Sequence, residues 1–396
     1  MRDHFLLDPG ITFLNHGSFG ATPRVVLEAQ QRKQREMERN PVAMLGRASA
    51  QLLAQARQRL AGLLGAAGDD LVFVPNATTG VNIAARSLAL NPGDEVLATD
   101  HEYGACVATW QRRCAAAGAS YRTVPVPLPF EPASFAGRMV AAFTERTRVL
   151  FVSHISSTTA LVFPLRELCA AARERGIVTV IDGAHAPGQI ELNLDALGAD
   201  FYTGNCHKWL CAPKGSAFLH VRAEHQRQVE SPVISWGYVA EEAEAEHGEF
   251  DAARSGHAGL DAYTGRTTLE RRLQWQGTRD ISAFLTVPAA LDFQAAHDWP
   301  RRRAECRTMA LELQREVLAR NGLEPIAPDE ALAQMVPIPV RATDAEGLRR
   351  WLFDERRIEV PLTQHAGRVF VRVSVQAYNT RADLERLRDA LAEAGV

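Results

Sequence analysis

Lysine is almost missing from this chain. Of its 396 residues 44 are basic, yet only Lys33, Lys208 and Lys214 are lysine, and the other 41 are arginine. The six cysteines (Cys106, Cys114, Cys169, Cys206, Cys211, Cys306) contain no CxxC pair, and no Cys/His group has zinc-ligand spacing. That spacing excludes a finger or ribbon, so free thiols packed as small hydrophobes are expected, with no metal site. No apolar run approaches the ~20 residues that span a bilayer. Basic tracts are also missing, and a net charge of −3 gives nucleic acid no electrostatic footing. The first residues, "MRDHFLLDPG", carry acids where a signal peptide needs a clean apolar stretch. A cytoplasmic protein with neither membrane nor nucleic-acid partners is therefore expected.

What remains is ordinary soluble composition, 46% hydrophobic and 23% charged. The length calls for two domains, or one large α/β domain with an appendage. "TPRVVLEAQQRKQREMERNP" predicts a helix capped by Thr22 and ended before Pro41, and "ASAQLLAQARQRLAGLLG" a second helix stopping at Gly65. Continuous apolar runs follow at 71–75, 95–100, 148–154, 177–183, 200–204 and 216–221, with amphipathic stretches between several of them. Such runs predict strands buried on both faces, hence a mostly parallel, helix-covered sheet whose ligands sit at the strands' carboxyl ends. After about Gly277 the pattern changes to long helices (282–299 and 301–322), short strands at "MVPIPV" and "RVFVRVSV", and a final helix, "TRADLERLRDALAEAG". We read an N-terminal arm (1–20), a large domain (21–276) and a smaller C-terminal α+β domain (277–396). The acidic stretch at 240–265 lacks periodicity and is expected to be a mobile or subunit-contacting loop.

Three features carry chemistry. After "LVFVP" comes "NATTGVN", a strand, a hydroxyl-rich turn and a helix start, whose N–H groups and Thr78 and Thr79 hydroxyls suit an anion. An ordinary capped helix would read the same way. Asp182 ends the run "IVTVID", where a buried acid needs a cation or hydrogen-bond donors. Lys208 follows in "TGNCHKWLCAPKG"; unlike arginine, its amine can deprotonate and attack a carbonyl. An anion cradle, an acid for a heteroaromatic nitrogen and an amine for an aldehyde together describe pyridoxal 5'-phosphate. Lys214, between Pro213 and Gly215, reads as a turn residue.

"FLNHGSFGATP", "NATTGVN", "DHEYGA", "SHISSTTALVFPL", "IDGAHAPG", "CHKWLCAPKG", "WQGTRD" and "VRVSVQAYNT" occur in one order along nearly the whole chain. In this the sequence resembles the class V aminotransferase-like, fold-type I pyridoxal-phosphate enzymes. The likeness is greatest to the isopenicillin N epimerase-like branch, whose relatives include cysteine desulfurases and C–S lyases. The resemblance implies Lys208 as Schiff-base lysine, Asp182 as partner of the pyridinium, and His185 and Thr158 near the ring hydroxyl. It implies Thr78, Thr79, Asn205 and His207 as phosphate contacts, and Thr278 reaching the phosphate of the other subunit of a homodimer. Tyr103 matches the ring-facing aromatic better than His101 does. Arg372 matches the arginine that grips a substrate α-carboxylate, a task suited to a guanidinium fork. Asn15, His16 and Gly17, with the rest of "NHGSFG" (15–20), are expected at the substrate mouth.

The fold does not choose the reaction. Desulfurases place a nucleophilic cysteine before the strand of Arg372, and here "RRIEVPLTQHAGRVFVR" contains none. Two activities stay open, epimerisation at an amino acid Cα and β-elimination of a sulfur leaving group. A non-catalytic protein on the same fold is a minor alternative. Tyr103, His101, His16 or a water are candidates for the second-face acid of an epimerase.

Overall fold

A computed structural model describes residues 1–241 and 260–396. Its strands are β1 (Thr12–Phe13), β2 (Leu71–Val74), β3 (Glu95–Thr99), β4 (Ser120–Val124), β5 (Thr147–Ser153), β6 (Val178–Asp182), β7 (Phe201–Asn205) and β8 (Ala217–Val221). They continue with β9 (Met335–Val340), β10 (Ile358–Glu359), β11 (Leu362–His365) and β12 (Arg368–Ser374). The central sheet has the order β2-β8-β7-β6-β5-β3-β4. β8 alone runs against the direction of the other six strands. The expected parallel, helix-covered architecture is therefore the one found, with β2, β3, β7 and β8 buried along their whole lengths. Strand β4 has no counterpart among the predicted runs. It is an edge strand, largely open to solvent, and "SYRTV" lacks the continuous hydrophobicity that marks the others.

The parallel register brings several strand ends together. Ser153, Asp182 and Thr203 are cross-strand partners at the ends of β5, β6 and β7, and Asn205 closes β7 two residues on. A second, antiparallel sheet, β11-β12-β9, carries Arg372 on its central strand. The N-terminal arm ties the two sheets. Its β1 pairs with β10, and the Leu14 carbonyl accepts the Ser374 N–H at 2.9 Å, which carries residues 15–20 across the gap.

Local chemistry explains where the elements depart from the sequence pattern. The helix Arg24–Arg39 is not capped by Thr22; Pro23 holds that position, and the buried Thr22 hydroxyl donates instead to the Ala212 carbonyl at 3.1 Å. Helix Ser49–Leu64 does stop at Gly65, whose φ of +60° suits glycine. The segment expected to be one helix over 282–299 is broken into Ser282–Leu285 and Val287–Ala296, because Pro288 has no N–H to continue the ladder. Both pieces pack against the helices Arg24–Arg39 and Ser49–Leu64. Of the acidic stretch, residues 242–259 lie outside the described part, and Asp261–Thr264 form a helical turn. No described helix is long and apolar enough to cross a membrane.

One buried ion pair joins early and late chain segments. Arg57, 2% exposed, meets the Glu270 carboxylate and donates to Gln274 Oε1 at 2.6 Å. Removing one partner leaves a buried charge without compensation, which costs about 3–5 kcal/mol, whereas replacing both by apolar groups is close to neutral. Arg57→Met should lower the urea unfolding free energy by that amount. The double variant with Glu270→Leu should recover most of it; equal losses in single and double variants would contradict this account.

Candidate active site

A cavity of about 490 Å³ opens at the ends of β5, β6 and β7, under the N-terminal arm. A larger one, about 660 Å³, lies beside His154 and Phe163, but its lining is mainly apolar and holds no lysine. The smaller cavity collects the chemistry. Lys208, Asp182, His185, Tyr103, Thr78, Asn205, His207, Arg372 and Gly17 all line it.

The turn after β7 sets Lys208 facing His185, with Nζ 3.2 Å from Nε2. The other ring nitrogen of His185, Nδ1, accepts from the Trp209 indole N–H at 3.4 Å. A neutral imidazole that accepts at Nδ1 carries its hydrogen on Nε2. Nε2 therefore donates, and the lysine must accept as a free amine. Electrostatics agree. Burial, then the neighbouring Arg372, bring the Lys208 amine down to about 7, against a smaller opposing pull from Asp182. Burial also holds His185 well below its ordinary range, helped by the charges of Lys208 and Arg372. No carboxylate of the described residues lies within ion-pair distance of Lys208.

Asp182 is 4% exposed; Oδ1 accepts the Ala184 N–H at 2.9 Å, and Oδ2 faces the Cys106 thiol at 3.6 Å. Burial raises its pKa, while the Ala184 N–H and the charge of Lys208 oppose the rise. Across the cavity, Asn76 caps the helix Ala77–Ser87 by accepting from Thr79 N (2.8 Å) and the Thr79 hydroxyl (3.1 Å). Asn205 Oδ1 takes the Ala77 N–H at 2.8 Å. Of the first three N–H groups, that of Thr78 is left for a ligand, with the Thr78 hydroxyl beside it. His207 is anchored through Nδ1 to the Ser216 carbonyl at 3.0 Å.

Arg372 is the unusual charge. It is 5% exposed, and its guanidinium donates to the Ser157 carbonyl, to Ser157 Oγ (3.2 Å) and to Ser18 Oγ (3.2 Å). Its Nε is buried without a hydrogen bond. No carboxylate of the described residues offsets the burial, which lowers this guanidinium to about 10. A buried cation lacking an anion is costly unless a ligand brings one.

Other residues singled out in the sequence lie away from the cavity. His16 is fully buried beneath the lysine turn, Nδ1 bonded to the Tyr378 hydroxyl and Nε2 to the Lys208 carbonyl, both at 3.0 Å. Asn15 holds the Ser18 hydroxyl at 2.5 Å and reaches Glu359 at 3.2 Å. The Thr79 hydroxyl is turned to Asn76, the Thr158 carbonyl accepts from Thr363, and Thr278 is exposed elsewhere. His101 is buried against Thr159 and Val126. Lys214 is exposed, with Nζ 3.4 Å from the Thr22 hydroxyl. Ser18 and Phe19, within the stretch expected at the substrate mouth, do line the cavity; Asn76, Ser153 and Ser157 on its wall, and the Cys106 thiol behind Asp182, were not singled out as site residues. Asn76 alone gave a signal, as an N-cap residue before a helix. Gly20 shows how tightly the arm closes: at φ +70°, a Cβ there would stand 2.0 Å from the His207 carbonyl oxygen.

Comparison with known proteins follows this geometry. The sequence profile of the aminotransferase class-V family matches residues 13–387. Isopenicillin N epimerase of Amycolatopsis lactamdurans is 38% identical over 401 aligned positions, covering 99% of this chain and 97% of that protein. L-cysteine desulfhydrase of Arabidopsis thaliana is 28% identical over 432 positions, covering 97% and 88%. Among solved structures, a lysine-to-alanine mutant of C-DES with glycine covalently linked to its PLP cofactor superposes with a TM-score of 0.82. It is 24% identical and covers 99% of both chains, a likeness of fold.

The buried amine has a pH signature. The folded Lys208 releases its proton near pH 7, whereas the unfolded chain holds it to 10.5. The destabilisation from burying it is thus full below about 7 and fades as pH rises toward 10.5. In protein stripped of carbonyl ligands, acylation at Lys208, followed by peptide mass spectrometry, should reach half its limiting rate near pH 7. A rate still climbing through pH 10 would contradict this.

Proposed function

The chain belongs to the aminotransferase class-V family, and from that premise we propose that it is a pyridoxal-phosphate-dependent epimerase of an α-amino acid. The observation that carries this reading is Arg372, a buried guanidinium with no carboxylate among the described residues, facing the same cavity as a free lysine amine. The residues present fit the cofactor. Asp182 is an anion for a ring nitrogen, the Nε2–H of His185 a donor for a ring hydroxyl, and Tyr103 a cavity-wall aromatic for the ring face. Thr78, the free amide N–H₂ of Asn205, and His207 suit a phosphate, and an exposed Thr278 suits the phosphate of a partner subunit. Thr79 supports that site by ordering the cap rather than by its own hydroxyl. When bound, pyridoxal phosphate supplies an aldehyde for an amine and a ring that takes up the electrons left at Cα.

The rest is the work of this chain's own groups. Arg372 grips the substrate α-carboxylate, held at the right angle by Ser157 and Ser18, and so fixes which Cα bond faces Lys208. Once free, the Lys208 amine removes the Cα proton; with a pKa near 7 it serves as base or acid at neutral pH. Inversion needs a second proton donor. Of Tyr103, His101 and His16, only Tyr103 lines the cavity, which supports its hydroxyl in that role. The N-terminal arm, closed down at Gly20, keeps water from the lysine.

β-Elimination is the second reading, favoured by the desulfhydrase relatives. A persulfide mechanism has no support, since the described cysteines are all buried and unpaired and none lines the cavity. Phe19, Val233, Ile234 and Trp236 are large exposed apolar side chains, which supports a homodimer with a shared site in a cytoplasmic protein. Sedimentation should give twice the 43.5 kDa chain mass.

Incubation with candidate amino acids in deuterium oxide tests the reaction. Deuterium at Cα with a changed enantiomer ratio supports epimerisation, whereas pyruvate with a released thiol means lyase. Lys208→Ala should lose the visible absorbance of bound cofactor and about 10²–10⁴-fold of the turnover. Arg372→Met should raise KM about 10- to 100-fold, the value of a charge-assisted contact. Tyr103→Phe should still exchange Cα deuterium from one enantiomer while losing inversion. A colourless protein that ignores added pyridoxal phosphate would refute the reading.

A further inference from the structure

The cavity is polarised. On the side of the helix Ala77–Ser87 it offers donors, the Thr78 N–H and hydroxyl and the amide N–H₂ of Asn205. At the ends of β5 and β6 it offers acceptors. Asp182 Oδ1 takes the Ala184 N–H and Oδ2 faces the Cys106 thiol, so as a carboxylate it brings no hydrogen of its own. Ser153, its cross-strand neighbour, lines the same wall. Thr203, at the next strand end, donates its hydroxyl to the Phe218 carbonyl at 2.8 Å.

What Ser153 can offer is set by Glu102, a carboxyl group that the proposed chemistry leaves unused. Glu102 is 8% exposed, and no cation of the described residues lies within ion-pair distance of it. Three donors hold it instead. Its Oε1 accepts the Thr99 hydroxyl at 2.5 Å, and its Oε2 accepts both the Ser153 N–H at 2.8 Å and the Ser153 hydroxyl at 2.6 Å. A backbone N–H can only donate, so Oε2 is an acceptor, and the hydroxyl beside it must donate as well. That commits the one hydrogen on Ser153 Oγ. Burial, opposed by the Ser153 and Thr99 hydrogen bonds and reinforced by Asp182, brings Glu102 up to about 7. A proton taken up there goes to Oε1, because Oε2 is filled, and the serine hydrogen stays where it is. No described residue donates to Ser153 Oγ, so its lone pairs are left for whatever fills the cavity.

We propose that Ser153 is a cofactor-binding residue whose Oγ is a second acceptor, beside Asp182, for the ring N–H of bound pyridoxal phosphate. Glu102 is the positioning residue that turns the serine hydrogen away from the cavity. The inference rests on the cofactor reading above and adds to it a reason for the ring to stay protonated. An unprotonated ring nitrogen would set its lone pair against that of Ser153, with no hydrogen between them. A pyridinium supplies the hydrogen that neither wall residue brings. The polarity of the cavity agrees, since a phosphate suits the donors at the helix start and an N–H the acceptors at the strand ends. A protonated ring is also the better electron sink. Ser153 and Glu102 thus support the chemistry at Cα without touching the substrate.

Full-length protein freed of cofactor is titrated with pyridoxal phosphate and with its 1-deaza analogue, in which a ring C–H replaces the nitrogen. Kd is read by absorbance for both compounds, and their ratio isolates the ring nitrogen, because phosphate and aldehyde contacts are common to the two. Ser153→Ala should lower the preference for pyridoxal phosphate about 10-fold, the value of a hydrogen bond to a charged donor, with little change for the analogue. A structural role would weaken both compounds alike, and that unchanged preference would overturn the inference. Glu102→Gln keeps an oxygen for both serine donors while removing the charge, so its loss of preference should be smaller. A loss equal to that of Ser153→Ala would assign the effect to the Glu102 charge and overturn the role of the serine. Where Ser153→Ala does not fold by circular dichroism, Ser153→Cys, whose sulfur accepts only weakly, decides in its place. Protein that binds neither compound would refute the cofactor reading and this inference together, whereas binding with an unchanged preference refutes the inference alone.

Discussion

Holding a lysine amine uncharged in a folded protein is the constraint on which this architecture turns. Among the described residues Lys208 has no carboxylate to pair with; the fold removes water from the amine and supplies a partner that donates to it. Trp209 fixes the His185 tautomer, His185 presents its Nε2–H, and Arg372 adds a like charge nearby. Together they make the protonated lysine the costlier state.

Keeping that arrangement requires support from outside the central sheet. His16 reaches under the turn to the Lys208 carbonyl, and Gly20 lets the arm lie against the His207 carbonyl. Arg372 arrives from the second sheet, its guanidinium held by Ser157 and Ser18. Ala160, three residues after Ser157, and Cys211, three after Lys208, are non-glycine residues in the left-handed region, at φ 58° and 59°. Such conformations persist only where surrounding contacts over-determine them, and both residues are fully buried. The site is thus a joint between arm, central sheet and small sheet.

His16 shows why a motif can be legible while its role is not. "NHGSFG" was assigned to the substrate mouth, and Gly17, Ser18 and Phe19 do line the cavity. His16 instead points the other way, into Tyr378 and the lysine turn. In a short helical turn, adjacent residues face different directions, and nothing in their order says which faces the ligand. Thr158 and Ser157 differ in the same manner, since Ser157 reaches the cavity while Thr158 gives its carbonyl to Thr363.

The sequence by itself determined six of the seven strands of the central sheet, because strands buried on both faces must be written as continuous apolar runs, and it singled out Lys208, Asp182 and Arg372, which the fold brings to one cavity. It left β4 and β11 unseen, since edge and polar strands carry no such signature. Only the tertiary structure decided which small polar residues serve the site. Ser18, Asn76 and Ser157 are drawn together from distant segments, and their roles follow from direction and distance. No spacing along the chain marks them, because a chain that folds back on itself sets neighbours by packing, not by order.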